Sequence, residues 1–235
     1  GGSAPPRALI DAIEGEFDIM FRHAWGMTEI SPLGSSNVLT PEQRSEPAKQ
    51  RSLYHTKQGR PPFGVELRIV GEEGQILPND GVAFGEIQVR GPWVVDGYFL
   101  SDEERLTIDG WFPTGDVAKL DPQCNIQITD RTKDLIKSGG EWISSIDVEN
   151  TAMGHPGITM AAVIGVPHEQ WGERPILIAV ASTDPPPTTE SVIAHLADTL
   201  AKWQLPDEII FVDALPMGAT GKVQKTKLRE DYGAP

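Results

Sequence analysis

A single cysteine in 235 residues, Cys124, rules out an intrachain disulfide, so this fold rests on packing and hydrogen bonds, as in proteins of reducing compartments. No apolar run reaches the ~20 residues that a helix needs to span a bilayer, and no charged-then-apolar start resembles a signal peptide. Basic side chains are scarce: 20 Lys and Arg against 34 Asp and Glu give a net charge of −14. Such a surface repels nucleic acid and anionic lipid on average, so a phosphate must be held by local groups. A soluble, cytoplasmic protein without nucleic-acid partners is expected. Internal repeats and low-complexity runs are also missing. The start, Gly1-Gly2-Ser3-Ala4-Pro5-Pro6, lacks a methionine and reads as a loop interior, the expectation for a piece of a longer chain.

Glycine and proline are plentiful, 24 and 20, and they punctuate the chain into short elements. Pro5-Pro6 followed by Ala8, Leu9, Ile10, Ala12 and Ile13 predicts a helix ended by Gly15, with a buried strand over 17–21. Residues 31–62 are polar and proline-broken and are expected to be loop. Alternation of apolar and charged residues over 65–70 and 85–91 predicts antiparallel sheet or a small barrel across 65–129. After Arg131 the pattern becomes α+β. Ser144 or Ser145 caps a helix through 148–153, strands follow at 161–166 and 176–181, Val192, Ile193, Leu196, Leu200 and Trp203 share one helix face, and 209–212 closes a third strand.

Five segments carry candidate chemistry. In Leu215-Pro216-Met217-Gly218-Ala219-Thr220-Gly221-Lys222, two glycines and a threonine let a loop present Lys222 as a point charge to an anion; the plain alternative is a solvated turn before a basic helix of Lys225, Lys227 and Arg229. Trp25-Gly26-Met27-Thr28-Glu29 sets an aromatic ring, a hydroxyl and a carboxylate within five residues. That set suits stacking a purine, bonding a phosphate oxygen and holding Mg²⁺, which takes one or two carboxylates and leaves its other positions to water and phosphate; a tight turn on a packed Trp25 is the alternative. Asp116, in Thr114-Gly115-Asp116, is a candidate acceptor for paired ribose hydroxyls or a turn aspartate bonding its own backbone. Asp130-Arg131-Thr132-Lys133 through Gly139-Gly140-Glu141-Trp142 reads as a hinge or as a charged linker. Gly1-Gly2-Ser3-Ala4 could lie against a flat base edge.

In this order the segments resemble the adenylate-forming acyl-CoA synthetase family through essentially the whole chain. Trp25 to Glu29 is similar to its aromatic-Gly-x-Thr-Glu motif, the stretch from Gly85 to Tyr98 to its Gly-Glu…Gly-Tyr segment, Thr114-Gly115-Asp116 to its ribose motif, Asp130 to Gly140 to its hinge, and Pro216 to Lys222 to its catalytic-lysine loop. The wording of residues 137–145, followed by Gly154-His155-Pro156, resembles the medium- and long-chain fatty-acid branch, which also includes ligases for short thioether acids.

The resemblance implies the end of a large α/β adenylate-forming domain with an antiparallel barrel-like part over 1–130, then a small, mobile α+β C-terminal domain over 131–235, with the hinge near 131–133. It implies Lys222, Thr28 and Glu29 as catalytic residues and Gly2, Ser3, Ala4, Trp25, Gly26, Met27, Asp116 and Arg131 as nucleotide contacts. Lys133 would be the pivot, Gly139, Gly140 and Trp142 would meet CoA, and Glu29 would hold the metal. ATP or AMP, Mg²⁺, CoA and a carboxylic acid are the implied cofactor and substrates, and homo-oligomers would form through regions outside this chain. The family's Ser/Thr/Gly-rich phosphate loop and most of its acyl pocket are not found here, so the chain alone is expected to be inactive. Transfer to a carrier-protein thiol or other acceptor, and a non-catalytic nucleotide- or partner-binding module, remain the alternatives.

Overall fold

The computed structural model describes residues 5, 7–17, 19–101, 105–219 and 221–233. It divides into two compact units, Gly1–Thr132 and Lys133–Pro235. Gly2, Ser3, Ala4 and Thr220 lie outside the described residues.

The first unit opens with α1 (Arg7–Phe17). Gly15 does not end this helix, and among the described residues no strand follows it over 17–21: Ile19 and Met20 are exposed, so that apolar run has no core face to bury. Helix α1 is tied down instead by Glu14, which is buried, bonds His55 and accepts the Phe21 N–H at 3.0 Å. Strands β1 (Ala24–Gly26) and β2 (Leu33–Ser36) pair antiparallel across a 3-10 turn at Thr28–Ile30. The stretch expected to be loop therefore holds β2, and it also holds α2 (Pro41–Arg44) and α3 (Ala48–His55). Both helices begin on chemistry that polar composition conceals. Thr40 and Gln43 form a reciprocal capping box, with Pro41 at the first helical position, and Pro47 leads into α3.

Strands β3 (Glu66–Val70), β4 (Phe84–Arg90), β5 (Phe112–Leu120) and β6 (Ile126–Arg131) form an antiparallel meander in that order. Among the described residues β3 and β6 do not pair, so this is an open sheet and not a closed barrel. Its inward residues Ile69, Ile87, Val89, Phe112, Ala118, Leu120 and Ile126 join Trp25 and Ile30 in one core, each large aliphatic contributing about 1.5–3 kcal/mol by burial.

The second unit starts with the hairpin of β7 (Ile136–Ser138) and β8 (Glu141–Ile143), then α4 (Ser145–Ala152), β9 (Ile158–His168), β10 (Gly172–Ala181), α5 (Thr189–Ala197), β11 (Glu208–Phe211) and α6 (Lys225–Tyr232). Ser144 accepts the Asp147 N–H at 3.1 Å as the cap of α4. The sheet runs β11-β10-β7-β8 with β9 beside β10. Alternation along β9 and β10 feeds two cores. Val163, Leu177 and Ala179 pack with α4 and α5 residues Val148, Ala152, Val192 and Leu196, while Ala162, Ile164, Ile176 and Ile178 pack with Leu228 of α6 and with Leu215, which precedes that helix. Both faces being buried explains the near-continuous apolar runs of these strands. Trp203 leaves the expected helix face: α5 stops at Ala197, and Trp203 lies in a separate 3-10 turn with 42% of its surface exposed.

Candidate functional site

Strand pairing brings three of the candidate residues together in the first unit. Asp116 on β5 stands opposite Arg131 on β6, whose Nε lies 3.2 Å from Asp116 Oδ1. From β1, Trp25 Nε1–H donates to Asp116 Oδ2 at 2.8 Å. Asp116 is thus no turn aspartate bonding its own main chain. The residue is 8% exposed, and its carboxylate is oriented through both oxygens by a neutral donor and a cation. Thr114 fixes the approach of the strand, its hydroxyl donating to the Ile87 carbonyl at 2.9 Å and accepting the Asp116 N–H at 3.2 Å. Thr132 N–H closes the same corner on the Gly115 carbonyl at 2.9 Å. Nearby, burial holds the half-buried Glu86 carboxyl above its ordinary range, opposed by a hydrogen bond from the Gly115 backbone.

Trp25 itself is 7% exposed and its benzo edge packs where Gly34 leaves room. Most of the ring belongs to the core. Gly26 and Met27 follow directly, Met27 entering the 3-10 turn in extended conformation, and Thr28 and Glu29 open that turn. Tyr98 O–H donates to Glu29 Oε1 at 2.6 Å, and this bond to the carboxylate raises the phenol pKa. Among the described residues no group of three or more His, Cys, Asp or Glu side chains converges into a metal cage. One carboxylate such as Glu29, with phosphate oxygens completing the shell, is the donor set that Mg²⁺ accepts.

In the second unit Gly139 and Gly140 form the two-residue turn between β7 and β8, with φ of +61° and +87°. Paired positive φ is the requirement of the tight turns that match strand twist. Gly139 N–H donates to the Trp171 carbonyl at 2.8 Å, and a Cβ on Gly139 would fall 2.8 Å from the Trp171 ring. Trp142 sits beside this turn under the Lys137 ammonium, 5.5 Å from its ring centroid. Lys222 is exposed at the tip of a hairpin in which Met217 bridges Val223 and Gly218 N–H donates to the Lys222 carbonyl at 2.7 Å. Lys133 begins the unit, and its carbonyl accepts Arg229 Nη2–H at 3.3 Å.

Four contributors escaped the sequence reading. Tyr98 stood at the end of a quoted stretch without a role, and Trp171 gave no signal at all. Lys225 and Arg229 entered only as part of a basic helix after the turn, yet both are ion-paired, Lys225 with Glu149 at 2.7 Å and Arg229 with Asp134 at 2.8 Å.

A family model described as AMP-binding enzyme matches residues 1–99, and a model described as AMP-binding enzyme C-terminal domain matches residues 147–222. The 3-methylmercaptopropionyl-CoA ligase of Ruegeria lacuscaerulensis is 50% identical over 99% of this chain, which spans 43% of that ligase. The medium-chain-fatty-acid–CoA ligase of Ectopseudomonas oleovorans is 49% identical, again over 99% of this chain and 43% of its own length. Among solved structures, ATP-bound MatB from Rhodopseudomonas palustris superposes with a TM-score of 0.84 at 31% identity, covering 98% of this chain and 44% of that one.

Proposed function

Since the chain belongs to the AMP-binding enzymes, we propose that its full-length gene product is an acid–thiol ligase that converts a carboxylic acid, ATP and CoA to acyl-CoA, AMP and pyrophosphate through an acyl-adenylate. In the first step a carboxylate oxygen attacks the α-phosphorus and pyrophosphate leaves. In the second the CoA sulfur attacks the acyl carbon, its proton is lost, and AMP leaves with the electron pair. The observation that carries this reading is the Asp116 carboxylate, fixed through both oxygens by Trp25 and Arg131. A buried, oriented carboxylate is what pairs with two vicinal hydroxyls, and the nucleotide must be gripped by its ribose in both steps.

Arg131 assists that grip, Gly2, Ser3, Ala4, Gly26 and Met27 are assigned to nucleotide binding with it, and the remaining edge of Trp25 packs on adenine. Thr28 bonds a phosphate oxygen. Glu29, oriented by Tyr98, holds Mg²⁺, which when bound neutralises charge on the phosphate oxygens. Lys222 stabilises charge that develops on the α-phosphate and the attacking carboxylate, an effect worth ~3–4 kcal/mol per lost group in an enclosed site. The unit beginning at Lys133 is the small mobile domain, residues 131–133 are its hinge, and Gly139, Gly140 and Trp142 give room to the pantetheine arm. The two ligase relatives support a medium-chain fatty acid or a short thioether acid as substrate. No helix among the described residues is long and apolar enough to cross a membrane. A cytoplasmic place fits the single cysteine, Cys124, which has no disulfide partner in the chain. The 235-residue chain alone is inferred to be inactive, because no Ser/Thr/Gly-rich phosphate loop occurs in it.

A panel of short, medium and long fatty acids and 3-methylmercaptopropionate, assayed with the full-length product for ATP- and CoA-dependent thioester, tests the reading. Thioester formed with AMP supports it. Acyl-adenylate that accumulates and loads only a carrier protein would replace CoA as the acceptor, and no acid-dependent pyrophosphate release would end it.

A further inference from the structure

Lys225 opens α6 three residues beyond Lys222, a position where the positive end of the helix dipole disfavours a cation. Local propensity therefore gives no reason for a lysine there. The reason is tertiary: the ammonium, on a side chain only 14% exposed, lies 2.7 Å from Glu149 Oε1 and 2.5 Å from Ser145 Oγ, both on α4. The same Glu149 oxygen accepts the Val163 N–H of β9 at 2.8 Å. One turn later on the same face, Arg229 pairs with Asp134 and reaches the Lys133 carbonyl, and Leu228 between them is buried in the core. Helix α6 is thus fastened at two points to α4, β9 and the start of the unit.

The loop that carries Lys222 is held at both ends. Leu215 is buried on one side, and Gln224 N–H donates to the Pro216 carbonyl at 2.8 Å on the other. Lys222 lies only three positions before the Lys225 anchor, a reach of at most ~10 Å. We propose that Lys225 is a positioning residue for Lys222, holding the lysine loop in register through the buried Lys225–Glu149–Ser145 cluster. The inference deepens the reading above and rests on Lys222 acting in adenylate formation. Lys225 does not meet substrate, since its ammonium is engaged by α4. Its effect is geometric, and a displacement of about 1 Å at a reacting group can cost ~100-fold in rate.

The test uses single-turnover kinetics of both half-reactions in the full-length gene product. Lys225→Met should slow adenylation at saturating ATP and acid by tenfold or more, shift the KM for ATP by less than threefold, and leave thioester formation from supplied acyl-AMP within twofold. Lys225→Arg, which keeps the charge and reach, should recover adenylation to within threefold. Equal slowing of both half-reactions, or none, overturns the proposal. If Lys225→Met does not fold, Ser145→Ala decides: adenylation alone slowed several-fold supports the anchor, and unchanged adenylation overturns it. Lys222→Ala run in parallel separates the two claims. Adenylation lost in Lys222→Ala but intact in Lys225→Met refutes the anchor only, whereas adenylation intact in Lys222→Ala refutes the role of Lys222 and the anchor falls with it.

Discussion

Asp116 has a structural part, seen in its contacts with Trp25 and Arg131, and a proposed binding part, and the two can be pulled apart. Its Oδ2 satisfies a buried indole N–H, so Asp116→Ala strands Trp25 Nε1 at a cost of about 1–3 kcal/mol while also removing the proposed ribose contact. Asp116→Asn keeps an oxygen for the indole but loses the charge facing Arg131. The Asn variant should therefore unfold within a few degrees of the parent yet show KM values for ATP and acyl-AMP raised at least tenfold together, as read by thermal melts and half-reaction assays. An effect confined to the CoA step would remove Asp116 from the ribose. His23 gives a pH prediction at the same scale. Its Nδ1 faces the His55 carbonyl at 3.2 Å, an acceptor only, so the proton sits on Nδ1, and burial lowers the ring pKa below the ordinary imidazole value of 6.5. The native state then binds fewer protons than the unfolded chain. Its contribution is complete above pH 6.5 and is lost as pH falls below it. Urea unfolding of the first unit should show stability declining from pH 7 to 5.5, with a shallower slope in His23→Gln; an equal slope would exonerate His23. Neither the Trp25–Asp116 bond, which spans 91 residues, nor the His23 contact was legible in the sequence, because such pairings are products of strand register.

At the scale of elements, the turn between β7 and β8 separates steric from conformational demands. Gly139 and Gly140 both need positive φ, which costs an L residue roughly 1–2 kcal/mol, but only Gly139 is also roofed by the Trp171 ring. Gly140→Ala should thus lower stability by about 1–2 kcal/mol, and Gly139→Ala by distinctly more, with the excess relieved in Gly139→Ala/Trp171→Ala. Equal melting points for the two single variants would contradict the packing. Elements whose period matched their burial were readable from sequence: β3 and β4 by alternation, and α4 by its Ser144 cap. The failures have physical causes. α2 and α3 are short, polar helices without an apolar stripe, the run at 17–21 has no surface to bury against, and β9 and β10, buried on both faces, extend beyond their apolar centres into polar residues such as Glu173 and Arg174, whose side chains bond neighbouring segments.

For the molecule as a whole, the order of motifs carried more than any local pattern, since five weak signals in one sequence constrain a family that none constrains alone. What the sequence could not give was the division of labour among its cations: of the lysines and arginines near the C-terminus, Lys225 and Arg229 are ion-paired and Lys222 is exposed on its hairpin. If the unit beginning at Lys133 turns between half-reactions, Lys133→Pro should impair thioester formation far more than adenylation by fixing φ at the pivot, and pre-steady-state rates of the two steps would report it. Comparable losses in both steps would place the pivot elsewhere. The central claim, an acyl-adenylate, is tested most directly by isotope transfer. The full-length gene product should be incubated with ATP, CoA and an accepted acid labelled with ¹⁸O in its carboxylate, and the nucleotide product analysed by mass spectrometry. The account predicts AMP carrying one ¹⁸O on its phosphate for each acyl-CoA formed; unlabelled AMP, or ADP in its place, would contradict it.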